Sequence, residues 1–360
     1  MTDKEFCVDI NRFKTMIASI QNKTLEEYNK EVNAKLTAPI VYLYILLVVG
    51  VLGNAAIVII YRNYNKNVYR KLIWVIGMVD LLFCLVGIPF NLGRMYRYYT
   101  FFSELSCQIV ASMLDTGIMT STHLLLLLSV YRFRLVCFPL RRQITMQNVS
   151  YFIAGCFAIG FGLGIPQLAV LQPLAQTNLS NNITGLSCSV TWKNSPQAWK
   201  NYNTFLTSLF LLYTFLIIVC YALIGRTLYI QAKIRSKTLN VKQADSSSNL
   251  SHKMTLIAFT VSTVFAVSYL PLFLGEVLGI RANEHGNIAL FGAALILQRS
   301  YLINHVANAF IYFIFDHRFR YHIRNMILRI ICFYRVIKKE TTMEVSGDPD
   351  RKQATSVTSI

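Results

Sequence analysis

The sequence predicts an all-α membrane protein, a seven-transmembrane helix bundle, and three observations carry that reading. Seven apolar runs, at about 39–61, 72–93, 106–131, 150–171, 204–230, 254–279 and 288–315, each reach the roughly 20 helical residues needed to cross a bilayer. Lys and Arg alternate from one side to the other between those runs, and sequons for N-glycosylation fall on the side poor in basic residues. With 54% hydrophobic and only 14% charged residues, little chain remains for a soluble domain.

Taken in order, the loops set the orientation, because short connections rich in Lys and Arg stay cytoplasmic. Arg62, Lys66, Arg70 and Lys71 follow span one, and Arg132, Arg134, Arg141 and Arg142 follow span three. Arg226, Lys233, Arg235, Lys237, Lys242 and Lys253 surround the connection from span five to span six. The opposite side carries Arg94 and Arg97, then Lys193 and Lys200, then Arg281. The N-terminus is therefore assigned outside and the C-terminus inside, at the plasma membrane. Asn22-Lys-Thr in the N-terminal tail, and Asn178-Leu-Ser and Asn182-Ile-Thr between spans four and five, lie outside as glycosylation requires. Asn249-Leu-Ser falls inside, where no glycosylation occurs. No cleavable signal peptide is visible, so span one serves as its own insertion signal.

The formal charge of +18 sits on cytoplasmic loops and the tail, which points to anionic lipid headgroups and away from nucleic acid. The eight cysteines divide by compartment. Cys107, before span three, and Cys188, between spans four and five, both face an oxidising space and could bridge, pinning the loop over the bundle mouth. Cys7 is then unpaired. Cys84, Cys156 and Cys220 read as core residues, and Cys332, on an amphipathic stretch after span seven, is a palmitoylation candidate.

Span three supplies the sharpest marker: Cys107, Arg132 in Tyr131-Arg132-Phe133, and then Pro139. Further marks are Gly53-Asn54 in span one, Asp80-Leu-Leu in span two, Tyr221 in span five, Phe265 and Pro271 in span six, and Asn304 with Asn308-Ala-Phe-Ile-Tyr312 in span seven. In this order the chain resembles the rhodopsin-like (class A) G-protein-coupled receptors over about residues 39–333. Phe319 and Arg320 match that family's short membrane-parallel eighth helix. The resulting organisation is an extracellular tail (1–38), a receptor domain with helix eight (39–333) and a cytoplasmic tail (334–360). Tyr131 stands where the family has Asp or Glu, Ala309 where it has Pro, Tyr269 where it has the span-six Trp, and Tyr213 where it has the span-five Pro. Span four has no Trp. The resemblance is to a divergent member.

An ionisable side chain inside a span costs several kcal/mol unless paired or hydrated, so Asp80 calls for a partner. The resemblance implies an allosteric sodium ion held by Asp80, Ser121, Asn304 and Asn308, oxygen ligands that suit a hard cation. The alternatives are a protonated, hydrogen-bonded Asp80, or an imidazolium at His305 in the ion's place. Arg132 matches the residue that docks the G protein, and Tyr221 and Tyr312 the tyrosines that turn toward it on activation. Without an adjacent carboxylate, Tyr131 is expected to leave the resting brake on Arg132 weaker, unless Ser129 or Thr255 replaces it.

Ligand recognition is expected among Asp115, Ile118, Tyr269, Phe273, Glu276, Gln298 and Tyr301. Leu114 argues against a monoamine and Leu302 against retinal. Two carboxylates among aromatics suit a ligand with a cationic, apolar end, and Pro89 resembles the kinked second span of peptide receptors. The alternative is that Asp115 faces span four or lipid headgroups. The expected function is a G-protein-coupled receptor for a short neuropeptide, with a heterotrimeric G protein and arrestin as partners. The connection 231–253 and the tail after 334 should be flexible, with phosphorylation candidates at Thr341, Thr342, Ser346, Thr355, Ser356, Thr358 and Ser359. Thr358-Ser359-Ile360 resembles a PDZ-domain ligand. An enzyme is disfavoured, since no His-Glu-x-x-His spacing or paired intramembrane carboxylates occur. A transporter is disfavoured by the lack of a visible repeat of broken helices. The competing reading is a non-signalling or constitutively active orphan of receptor ancestry.

Overall fold

The computed structural model describes residues 23–62, 67–166, 174–179, 183–188, 197–238, 245–277 and 286–345. Asn22, Asn182, Cys7 and the tail beyond Val345 lie outside them. Spans one, two and three are the helices Thr37–Arg62, Val68–Tyr96 and Glu104–Cys137. Spans five and six lie within Gln197–Thr238 and Asp245–Val277. By length and composition these five can each cross a membrane.

The other two spans differ from simple apolar runs. Span four is the helix Val149–Gly164, whose C-cap Ile165 keeps right-handed helical angles (φ −58°, ψ −39°) and donates its N–H to Phe161 O at 2.9 Å. Span seven is two helices, Ile288–Gln298 and Leu302–Phe315, where the apolar run predicted one. At the break the bonds tighten to three-residue turns: Ser300 N–H donates to Leu297 O at 3.1 Å and Ile303 N–H to Ser300 O at 2.9 Å. The Leu295 carbonyl accepts the Arg299 side chain at 3.2 Å, and the Ser300 hydroxyl donates across to Ser268 O at 2.6 Å. Side chains thus engage backbone that a continuous helix would use for itself.

Packing follows membrane rules, in which small residues allow close helix approach. A Cβ on Gly53 would lie 2.6 Å from the Ala309 Cβ, so span one meets span seven at the position of that missing proline. Gly160 similarly backs onto Thr120 between spans four and three. Leu52, Leu82, Phe215, Ile218 and Val267 point outward, as side chains on a lipid-facing surface do.

Over the end of the bundle that carries Cys107, the hairpin Ala175–Asn178 and Thr184–Ser187 is antiparallel. A disulfide joins Cys107 to Cys188 with Cα atoms 5.8 Å apart, and Leu186 adds backbone bonds to Tyr99 and Phe101 at 2.8 and 3.0 Å. Asn178 lies exposed on this hairpin. A preceding helix, Leu25–Lys35, starts at a Thr24–Glu27 capping box. Its Asn29 and Asn33 side chains both donate to Tyr96 O, at 2.8 and 2.9 Å, while Tyr99 N–H donates to Asn29 Oδ1 at 3.0 Å.

The chain divides into two compact units, Met1–Ile311 and Tyr312–Ile360. In the second, Asp316 Oδ1 accepts from Arg318 N–H at 2.9 Å and opens the helix His317–Val345. Arg320 donates to Phe313 O at 3.0 Å and to Ile314 O, neutralising carbonyls at the end of span seven. The rings of Tyr312 and Phe319 meet edge-on at 6.3 Å, and Cys332 is exposed. This helix continues past the boundary expected at 333. Spans five and six likewise run to Thr238 and from Asp245, into the connection expected to be flexible. These segments contain no Pro or Gly to stop a helix.

Candidate functional site

Polar residues buried within the spans form three centres. The first surrounds Asp80, which is fully buried. His305 Nδ1 lies 2.8 Å from Asp80 Oδ1 and Asn308 Nδ2 donates to Oδ2 at 2.6 Å. The imidazole stacks on Phe83 with centroids 3.9 Å apart, its Nε2 is 3.1 Å from the Tyr269 hydroxyl, and its backbone carbonyl accepts from Asn54 at 2.7 Å. With Asp80 ionised, Nδ1 carries the proton between them, and a neutral ring then accepts from the Tyr269 hydroxyl at Nε2. Spans one, two, six and seven therefore converge on one histidine. Of the residues expected to bind sodium, Asn308 meets Asp80 here, and both Asp80 oxygens accept N–H groups; Ser121 Oγ and Asn304 Oδ1 are buried with no hydrogen-bond partner.

Two departures from the family pattern acquire the same use. Tyr269 meets His305, and Tyr213 meets His123, whose Nε2 is 3.1 Å from that hydroxyl and whose Nδ1 is 2.6 Å from Met119 O. Tyrosine in place of tryptophan or proline thus brings a hydroxyl to a buried imidazole in each case.

The second centre is the outer chamber. Phe210 stacks on Phe273 at 4.1 Å and contacts Phe265 and Tyr269 at 5.4 and 5.8 Å. Tyr269 continues to Tyr301 at 6.0 Å, and Tyr301 meets Phe83 edge-on at 6.2 Å. Asp115 lies on the span-three helix, one turn before the buried Met119, and is half-buried. Ile118 is buried and Gln298, closing the first half of span seven, is half-buried. Glu276 belongs to the span-six helix, with its side chain outside the described residues. Asn91 and Arg299 enter this chamber without having been singled out from sequence: Arg299 Nε donates to Asn91 Oδ1 at 3.2 Å, and Asn91 Nδ2 donates to the Tyr301 hydroxyl at 3.3 Å. A charged residue interrupting the last apolar run was the available signal.

The third centre lies on span three at the end away from Cys107, where Arg132 is 1% exposed. Its guanidinium lies over the Tyr69 ring, 4.6 Å from the centroid, and Nε and Nη2 have no hydrogen-bond partner. Among the described residues no carboxylate pairs with it, and Tyr131, half-buried, makes no hydrogen bond to it. Ser129 bonds Leu125 O at 2.9 Å and Tyr221 at 3.4 Å, and Thr255 Oγ1 has no partner, so neither residue substitutes for the missing carboxylate. Phe265 is buried and Pro271 lies inside the span-six helix.

The chain matches the family model described as 7 transmembrane receptor (rhodopsin family) over residues 53–312. It is 25% identical over 312 residues to the neuropeptides B/W receptor type 2 of Homo sapiens, covering 82% of this chain and 90% of that receptor. Identity to the somatostatin receptor type 3 of Rattus norvegicus is 22% over 304 residues, 81% of this chain and 68% of the relative. The cholecystokinin receptor of Xenopus laevis is 26% identical over 196 residues, 53% of this chain and 43% of its own length. Because the family match extends from Gly53 in span one to Tyr312 in span seven and takes in all three polar centres, the chain belongs to the rhodopsin family of seven-transmembrane receptors.

Proposed function

We propose that this receptor lies in the plasma membrane with its N-terminus outside, binds a short peptide in the outer chamber and activates a heterotrimeric G protein at Arg132. The relatives named above, receptors for neuropeptides B/W, somatostatin and cholecystokinin by name, support a peptide. The observation that carries the coupling is the chain of contacts Phe273–Tyr269–His305–Asp80, which joins the chamber to the buried centre of the bundle. A peptide that moves Tyr269 changes what His305 and Asp80 can hold, giving the differential contact that any population shift requires.

Asp115 and Glu276 would take a cationic group of the peptide, and Asp115→Asn should weaken a cationic agonist about tenfold or more, as expected for the loss of roughly 1–3 kcal/mol. His305, rather than a sodium ion, partners Asp80 in this reading: the carboxylate oxygens that an ion needs already accept N–H groups from His305 and Asn308. Arrestin on the phosphorylated tail, a PDZ-domain protein at Thr358-Ser359-Ile360, glycans at Asn22, Asn178 and Asn182, and palmitate on Cys332 complete the proposal. The test is nucleotide exchange on purified G protein with receptor in nanodiscs and a panel of synthetic peptides. Stimulation by at least one peptide is expected. Exchange equal to the receptor-free control throughout, with every peptide and with none, would favour the non-signalling alternative.

A further inference from the structure

Two arginines lie at one end of spans two and seven, brought to one place by Asn91, which accepts from Arg299 and stands one helical turn before Arg94. Arg94 occupies the last turn of span two, its guanidinium 5.8 Å from the Phe90 ring centroid, and its buried Nε has no hydrogen-bond partner. Arg299 lies at the break in span seven, held by Asn91 Oδ1 and Leu295 O, both at 3.2 Å. Both residues are half-buried, and Asn91 links Arg299 to the Tyr301 hydroxyl. Among the described residues neither is in an ion pair with a carboxylate; the pairs present are Lys23–Glu31 and His305–Asp80.

Two cations drawn together away from bulk water destabilise each other, and an anion placed between them reverses the sign of that interaction. Guanidinium forks match carboxylate geometry and make the stronger, charge-assisted class of hydrogen bond. Asn91 fixes Arg299 and Tyr301 together, so one side of the gap is already oriented. We propose that Arg94 and Arg299 form the subsite for a carboxylate of the ligand, opposite the acidic side of the chamber at Asp115. This rests on the outer chamber being the ligand pocket. It makes the peptide bipolar, with a cationic group toward Asp115 and a carboxylate toward spans two and seven.

The probes are N-acetyl-leucine, which carries an α-carboxylate, N-acetyl-aspartic acid α-amide, which carries a side-chain carboxylate, and N-acetyl-leucinamide, which carries none. Each is added at millimolar concentration to the purified full-length receptor and its melting temperature is measured. Either carboxylate should raise it by about 2 °C by mass action on the folded state, and the neutral amide should not. The stronger of the two acids tells whether the peptide's terminus or a side chain supplies the group. The rise should vanish in Arg94→Gln and in Arg299→Gln. Without probe, Arg94→Gln should melt no lower than wild type, because it removes a repulsion, whereas a purely structural arginine would leave it less stable. Equal shifts from acid and amide, shifts that persist in both variants, or an unliganded Arg94→Gln that melts lower would overturn the proposal. The measurement uses neither G protein nor agonist, so its failure is separable from a failure of peptide-stimulated exchange.

Discussion

Asp80 and Arg132 are both ionisable groups enclosed by the bundle, one on span two and one on span three, yet their surroundings are opposite. Asp80 has both oxygens occupied, and the histidine that occupies one is itself held by Phe83, Tyr269 and Asn54. Arg132 is 1% exposed but rests on one aromatic face, with two guanidinium nitrogens unmatched. A buried charge whose two oxygens are each hydrogen-bonded resists change, because removing any partner strands the others. A buried charge with empty donors gains when a new acceptor arrives. The first arrangement suits a hub that fixes helix positions, and the second suits a group that changes partners.

Breaking the filled centre should have the largest effect. Asp80→Ala leaves His305 and Asn308 donors stranded and should cost about 3–5 kcal/mol of stability, seen as a lower melting temperature and reduced surface expression. A melting temperature equal to wild type would remove the distinction drawn here. Arg132→Ala should behave in the opposite way: agonist-stimulated nucleotide exchange falls to the receptor-free level while thermal stability stays the same or rises, since an unmatched buried group is lost. Loss of stability comparable to Asp80→Ala would show that Arg132 is also structural.

The stacked contact on Tyr69 sharpens the comparison. A cation–π contact at a desolvated site contributes about 0.5–2 kcal/mol, and a two-state equilibrium moves tenfold for each ~1.4 kcal/mol. Tyr69→Leu should therefore raise agonist-free exchange several-fold, and Tyr131→Asp, which supplies the carboxylate this chain lacks, should lower it. Unchanged basal exchange in both variants would mean that the resting state is held elsewhere. The smallest expected effect belongs to sodium. Replacing sodium chloride by choline chloride at constant ionic strength should leave wild-type melting and agonist potency unchanged, because His305 and Asn308 occupy the Asp80 oxygens. A clear sodium dependence would restore the ion to that site.

Much of this was legible along the chain. The pairing of Cys107 with Cys188, the burial of Asp80, and His305 as one of its three alternative partners each follow from a residue type in a known compartment. The surroundings of Arg132 were legible only in part: Tyr131 beside it signals the missing carboxylate, whereas Tyr69 beneath the guanidinium does not appear in any local pattern. Arg299 was hidden for a related reason. Apolar periodicity averages over a window, and one arginine in a 28-residue run from 288 to 315 does not disturb the average, although it marks both the helix break and the Arg94 pair.

By itself the sequence determined the number of spans and their order, because transfer of about 20 apolar residues into lipid acts on each segment independently, and its basic loops carry the expectation of their orientation. Tertiary structure alone decided which partner each buried polar group takes. Asp80 and His305 are 225 residues apart in sequence, and Arg94 and Arg299 lie on different spans. No local rule weighs one distant acceptor against another, since a hydrogen bond within about 3 Å depends on how the helices pack after they are inserted.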